Sequence, residues 1–162
     1  MKIINRVYAW FLRGVNSCQS VFLLAVRLYW GWQFWQAGWG KARNIPKVVD
    51  YFTSLGIPAP ALNAYFISWL EVAGAILLIL GLGARLIAFP LAIDMIVAYV
   101  VGDREALGSI FSDPDKFYAA APYTFLMASF IILFFGPGWF SLDTAIDWYR
   151  KKRHSSATAP QS

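Results

Sequence analysis

The chain has 162 residues, of which 59% are hydrophobic, 18% aromatic and only 14% charged, whereas an ordinary soluble domain carries about 25% charged residues. Several apolar runs reach the length of about 18 residues that marks a bilayer span, so a soluble globular domain is excluded and a small all-α polytopic membrane protein is expected. The net charge of +5 sits largely at the chain ends beside apolar spans, which is the cytoplasmic bias of membrane proteins and not a nucleic-acid footprint.

In chain order, residues 2–16 read as an amphipathic interfacial helix. Ile3/Ile4, Val7/Tyr8, Phe11/Leu12 and Val15 recur every three to four residues among Lys2, Arg6 and Arg13, the pattern of a helix lying at headgroup level. The segment has no continuous apolar core and no small-x-small cleavage site, so it is expected to be retained.

A membrane domain over residues 17–145 follows, with spans at about 17–39, 62–82, 85–101 and 119–135. The expected architecture is an integral membrane four-helix bundle. Only Gly81-Leu82-Gly83-Ala84 joins the second and third spans, which predicts a tight helical hairpin. Pro90 should kink the third span and free the carbonyl of Leu86. Gly136-Pro137-Gly138 stops the fourth. Residues 146–162 form a basic tail, with Arg150-Lys151-Lys152-Arg153 followed by a disordered end. Four spans put both termini on one side, which collects eight Lys and Arg against five opposite. That bias places both termini in the cytoplasm. Trp35, Trp39 and Trp69 suit an interfacial aromatic belt, whereas Trp30 and Trp32 lie deeper in the span.

Three ionisable residues interrupt the spans: Arg27, Glu71 and Asp94. Each falls near a span centre, where an unpaired charge costs about 2.5–3.5 kcal/mol. They are therefore expected to meet inside the bundle as a buried polar site. One cation and two carboxylates leave a net negative charge, to be met by a proton on one acid or by a second cation. Lys41 is placed to be that cation, because Arg27, Gly31, Phe34, Gly38 and Lys41 form one stripe of the first span. Gly31, Gly38, Gly74 and Gly81 are the expected helix-packing glycines. Tyr99 and Tyr123 are accessory candidates, since a phenol can hydrogen-bond a ligand; filling the core is the plainer role. A buried Arg–Glu pair can equally serve only to fix helix register.

With one cysteine, Cys18, and one histidine, His154, in the basic tail, no intramolecular disulfide, multi-Cys zinc site or two-histidine haem site can be built in one chain. No intrinsic metal site is expected, and no phosphate-cradling GxxxxGK[ST] loop is present.

The segment RLYWGWQFWQAGWGK, from Arg27 to Lys41, resembles the first-span signature of the DoxX family of small four-span bacterial membrane proteins. The likeness continues through Gly56 and Pro58, through WLEVAGAILLILGLGAR with Glu71, Gly74, Gly81 and Arg85, and through GPGWFSLD. The loop from Gly102 to Tyr118 and Asp94 do not match the family pattern. The resemblance implies a bacterial cytoplasmic-membrane location and membrane assemblies linked to quinol oxidation, thiosulfate:quinone oxidoreduction or oxidative-stress defence. It supports fold and location more than reaction. The leading expectation is a membrane subunit of a respiratory or redox-homeostasis assembly that binds quinone or lipid at the buried Arg/Glu/Asp cluster, with protein partners and a homo-oligomer both compatible. An enzymatic role would be an accessory one, with electrons supplied by a partner or bound cofactor. A small proton-coupled transporter using Glu71 and Asp94, and a scaffold whose charges only set packing, remain as alternatives.

Overall fold

The computed structural model describes residues 2–157. The last five residues of the tail expected to be disordered lie outside the described residues, as do the side chains of Lys2, Ile3, Ile4, Val7 and Arg13 in the expected interfacial segment and that of His154. Among the described residues every regular element is helical. Helix α1 covers Lys2–Ala42, α2 Ile45–Ser54, α3 Pro60–Leu80 and α4 Ala84–Val97, which continues as a π-helical turn over Ala98–Gly102. Helices α5 (Arg104–Gly108) and α6 (Pro114–Ala119) are short; α7 (Ala121–Phe135) and α8 (Leu142–Ala157) complete the chain.

The expected interfacial segment and first span are one continuous 41-residue helix, about 60 Å long at 1.5 Å per residue. No proline interrupts residues 2–42, and an isolated glycine such as Gly14 costs only about 1 kcal/mol inside a helix. Pro90 stays within α4, which runs unbroken to the π turn. There Asp103 N–H donates to Ala98 C=O at 3.1 Å, the i→i+5 bond of a π turn. Residues 155–157, expected within the disordered end, close α8.

Helix α1 packs on α3, α3 on α4, α4 on α7 and α7 back on α1. The core they enclose is rich in small side chains, including Ala64, Ala75, Ala84, Ala88, Ala92 and Ala128. Large side chains such as Leu86, Phe66 and Phe134 face outward and are mostly exposed. Small residues inside and bulky apolar residues outside is the packing of helices in lipid, where close backbone contact replaces the hydrophobic drive. Helix α3, and α4 with its π turn, are each long and apolar enough to cross a bilayer. Helix α7 is apolar but shorter.

The α3–α4 hairpin is tied at its turn. Gly81 has φ +66°, a left-handed conformation that ends α3, and Leu82 N–H donates to Leu77 C=O at 3.0 Å. Asp143, carried by the segment after α7, accepts from the N–H groups of Gly83 (2.8 Å) and Ala84 (3.2 Å) and so caps α4. Its own N–H donates to Gly81 C=O at 3.1 Å. The GPGWFSLD segment is therefore bound across the turn.

Candidate functional site

The stripe Arg27, Gly31, Phe34 and Gly38 is buried along α1, and it fixes how α1 and α3 meet. Added to Gly38, a Cβ would stand 2.7 Å from Glu71 Cβ, 2.8 Å from Val72 N and 2.9 Å from Ser68 O. The two backbones thus touch here, which only glycine allows. Gly31 lies against Ile79 and Ala75, and Gly74 against Leu91 of α4.

One turn beyond Gly38, Lys41 Nζ donates to Glu71 Oε1 at 2.6 Å. Glu71 is 1% exposed, while the Lys41 side chain is 33% exposed. Asp94, on α4 and 8% exposed, faces the Glu71 carboxyl closely enough to hydrogen-bond when one of the two carries a proton. Glu71 Oε2 and Asp94 Oδ2 are buried and have no hydrogen-bond partner among the described residues. Ser68, also buried, spends its hydroxyl on Ala64 C=O at 2.6 Å.

Arg27 does not belong to this cluster, contrary to the expectation that it meets Glu71 and Asp94 at mid-bilayer. The register set by Gly31 and Gly38 carries Arg27 to the level of the α3–α4 turn. Its guanidinium packs against Gly81, donates through Nη2 to Phe140 C=O and lies near Asp143. The guanidinium is fully buried, and its Nε and Nη1 have no hydrogen-bond partner among the described residues. Depth counted along an apolar run cannot supply this register, because the run 17–39 includes residues that pack beyond the end of α3. Arg27 thus fastens the C-terminal segment to the hairpin turn, and Lys41 takes the place next to Glu71.

Tyr99 is 2% exposed, and its hydroxyl is committed to Phe117 C=O at 2.8 Å. Its ring stacks on Phe117 at 5.0 Å between centroids. Tyr123 meets Phe117 edge-on at 5.5 Å. Both tyrosines anchor α6 through Phe117, and neither lines the cavity described next.

Helix α1 ends near the level of Glu71, so the first half of α3 and the last turns of α4 extend beyond it. Helix α2 packs over α3 there. The space left between them is a cavity of about 710 Å³. Its walls include Ala37, Gly40 and Lys41 from α1, Tyr51, Phe52 and Leu55 from α2, Ile67 from α3, and Asp94, Ala98 and Val101 from α4 and the π turn. Glu71 stands behind Lys41 and Asp94, outside the wall. A mostly apolar cavity of this size with a few polar groups among its walls, here including Lys41, Lys47, Asp94 and Asp103, is the usual form of a small-molecule site. The helical nature of residues 45–54 was missed in the sequence. Its signal was there: Pro46 at the start and Ile45, Val48/Val49, Phe52 and Leu55 at helical spacing.

The profile of the DoxX family matches residues 22–104, a stretch that contains Lys41, Glu71, Asp94 and most of the cavity wall. The chain belongs to the DoxX family. This DoxX protein is a membrane protein in contact with lipid. It is similar to the Bacillus subtilis (strain 168) protein named "Putative oxidoreductase CatD", with 23% identity over 145 residues, 90% of this chain and 100% of that one. No solved structure matches this chain.

Proposed function

We propose that this DoxX protein is a multi-pass subunit of the bacterial cytoplasmic membrane that holds an amphiphilic redox ligand, a quinone-type molecule, in the cavity beside Lys41, Glu71 and Asp94. The observation that carries this reading is the cavity of about 710 Å³ with mostly apolar walls and Lys41 and Asp94 set into them. A ring-headed isoprenoid suits such walls, its tail lying among outward-facing apolar side chains. The oxidoreductase name of the Bacillus relative supports a redox context. In this reading the chain crosses the bilayer four times with both termini in the cytoplasm, and electrons pass to or from the ligand through a partner subunit. Lys41, Glu71 and Asp94 form the binding end; Arg27 serves the fold.

The test is binding of decylubiquinol, held reduced under argon, to the protein in nanodiscs, with empty nanodiscs subtracted. The wild type should bind saturably at one site, and Ala98→Trp, which places an indole in the cavity, should not. Equal binding by both variants, at matched thermal stability, would refute this site.

The facing carboxyls of Glu71 and Asp94 favour a second reading, a proton-coupled carrier. It requires proteoliposome flux that follows an imposed pH gradient and vanishes in Glu71→Gln.

A further inference from the structure

The polar end of the cavity is unevenly supplied with donors and acceptors. Lys41 is the cation at that end, and its charge is matched by Glu71 at 2.6 Å. Behind and beside it stand two carboxylate oxygens with no donor, Glu71 Oε2 and Asp94 Oδ2, both buried. Asp94 is on the wall; Glu71 is not. Asn63, also on the wall, has given its amide to Pro58 C=O at 2.7 Å. Other donors of the lining, Gln36, Asn44, Lys47 and Tyr51, are on exposed residues, and the Tyr51 hydroxyl lies by Gly102 at the end of the π turn. Lys41 keeps N–H groups beyond the one given to Glu71, so Asp94 is the group on the inner wall whose buried oxygen has no donor among the described residues. A ligand atom that offers a proton to Asp94 gains a charge-assisted hydrogen bond, whereas one that can only accept leaves a buried carboxylate unmatched.

We propose that the Lys41–Glu71 bridge makes this cavity selective for amphiphiles whose ring carries a hydroxyl donor, a phenol or hydroquinone head, over the same molecule with only an ether or carbonyl oxygen in that place. Glu71 is the positioning residue: by holding Lys41, it keeps the ammonium from pairing with Asp94. Asp94 is the group that accepts from the ligand. Without Glu71, Lys41 satisfies Asp94, and the donor preference disappears. The proposal rests on the cavity being a ligand site, and the experiment separates failure of one from failure of the other.

The probes are 4-nonylphenol and its methyl ether, which differ in the donor and undergo no redox exchange during the measurement. Equilibrium binding of each is measured on protein in nanodiscs, with empty nanodiscs subtracted. The wild type should prefer the phenol by at least about tenfold, the scale of one hydrogen bond to a charged group. In Glu71→Gln and in Asp94→Asn the ratio should fall to within about twofold, the phenol losing affinity while the ether stays the same or gains. Folding of each variant is followed by its thermal transition; if Glu71→Gln does not fold, Asp94→Asn carries the test. Equal affinities in the wild type overturn the donor preference and leave the ligand site standing. A tenfold preference that persists in the folded variants overturns the roles given to Glu71 and Asp94. Absence of saturable binding by either probe overturns both the cavity reading and the proposal.

Discussion

Replacing Gly38 by alanine should disrupt the joint on which the whole site depends. The added Cβ would meet Val72 N at 2.8 Å and Ser68 O at 2.9 Å, and these are backbone atoms of α3 that no rotamer change can move. Helix α1 must therefore withdraw, and the Lys41–Glu71 contact of 2.6 Å lies one turn away. Overpacking costs about 1–3 kcal/mol, and a buried carboxylate that loses its partner costs about 3–5 kcal/mol. The two effects share the same displacement and do not add, so a loss of at least about 2 kcal/mol is expected. Gly40→Ala is the matched control, because Gly40 is exposed and a Cβ there meets nothing within 4 Å. By helix propensity that change is neutral or stabilising by up to about 1 kcal/mol. SDS-induced unfolding in mixed micelles, followed by tryptophan fluorescence, gives both values. Equal stability of the two variants would refute the α1–α3 register and, with it, the assembly of Lys41 with Glu71.

Gly81→Ala should be worse than Gly83→Ala: both have positive φ, +66° and +56°, but only at Gly81 would the Cβ also strike the Arg27 guanidinium. The backbone strain alone is about 1–2 kcal/mol, and the excess at position 81 reports the contacts with Arg27 and with Ser141 Cβ at 2.7 Å in the same unfolding assay. Asp143→Ala removes the cap from Gly83 and Ala84 N–H and should cost about 0.5–2 kcal/mol, with faster proteolysis after residue 136 as a second readout. The exposed Glu105 pairs with Lys116 at 3.0 Å, and that hydrogen bond together with the lysine charge holds the Glu105 carboxyl below its ordinary value. Its contribution is thus complete above the unfolded value of about 4.3 and is lost as pH falls through the lower folded value; an NMR titration should show the midpoint return toward 4.3 in Lys116→Ala or in 1 M salt.

The sequence made α3, α4 and their turn legible because continuous apolar runs are bounded by Pro60, Gly81 and Gly83, residues whose backbone preferences mark ends. The packing stripe of α1 was legible for a similar reason: glycines at 31 and 38 repeat with the heptad and have no other evident use. Pairing was less so. Apolar runs give approximate depth, whereas the partner of a charge depends on helix register, and a shift of about four turns exchanges Arg27 for Lys41 beside Glu71. Helix α2 was less legible because it is short and Lys47 and Asp50 interrupt its apolar positions, so no apolar run there marks it as a span does. The cavity itself has no local signature. It arises because α1 ends before α3 and α4 do, a property of three helices at once.

The claim that matters most is that the space beside Lys41 and Asp94 holds a membrane-soluble ligand. Native mass spectrometry of the protein released from its own membrane tests it directly, comparing wild type with Ala98→Trp. The account predicts a single small-molecule adduct of isoprenoid quinone or quinol mass on the wild type, absent from Ala98→Trp. A wild-type protein that carries no such adduct, or a variant that carries the same one, would contradict it.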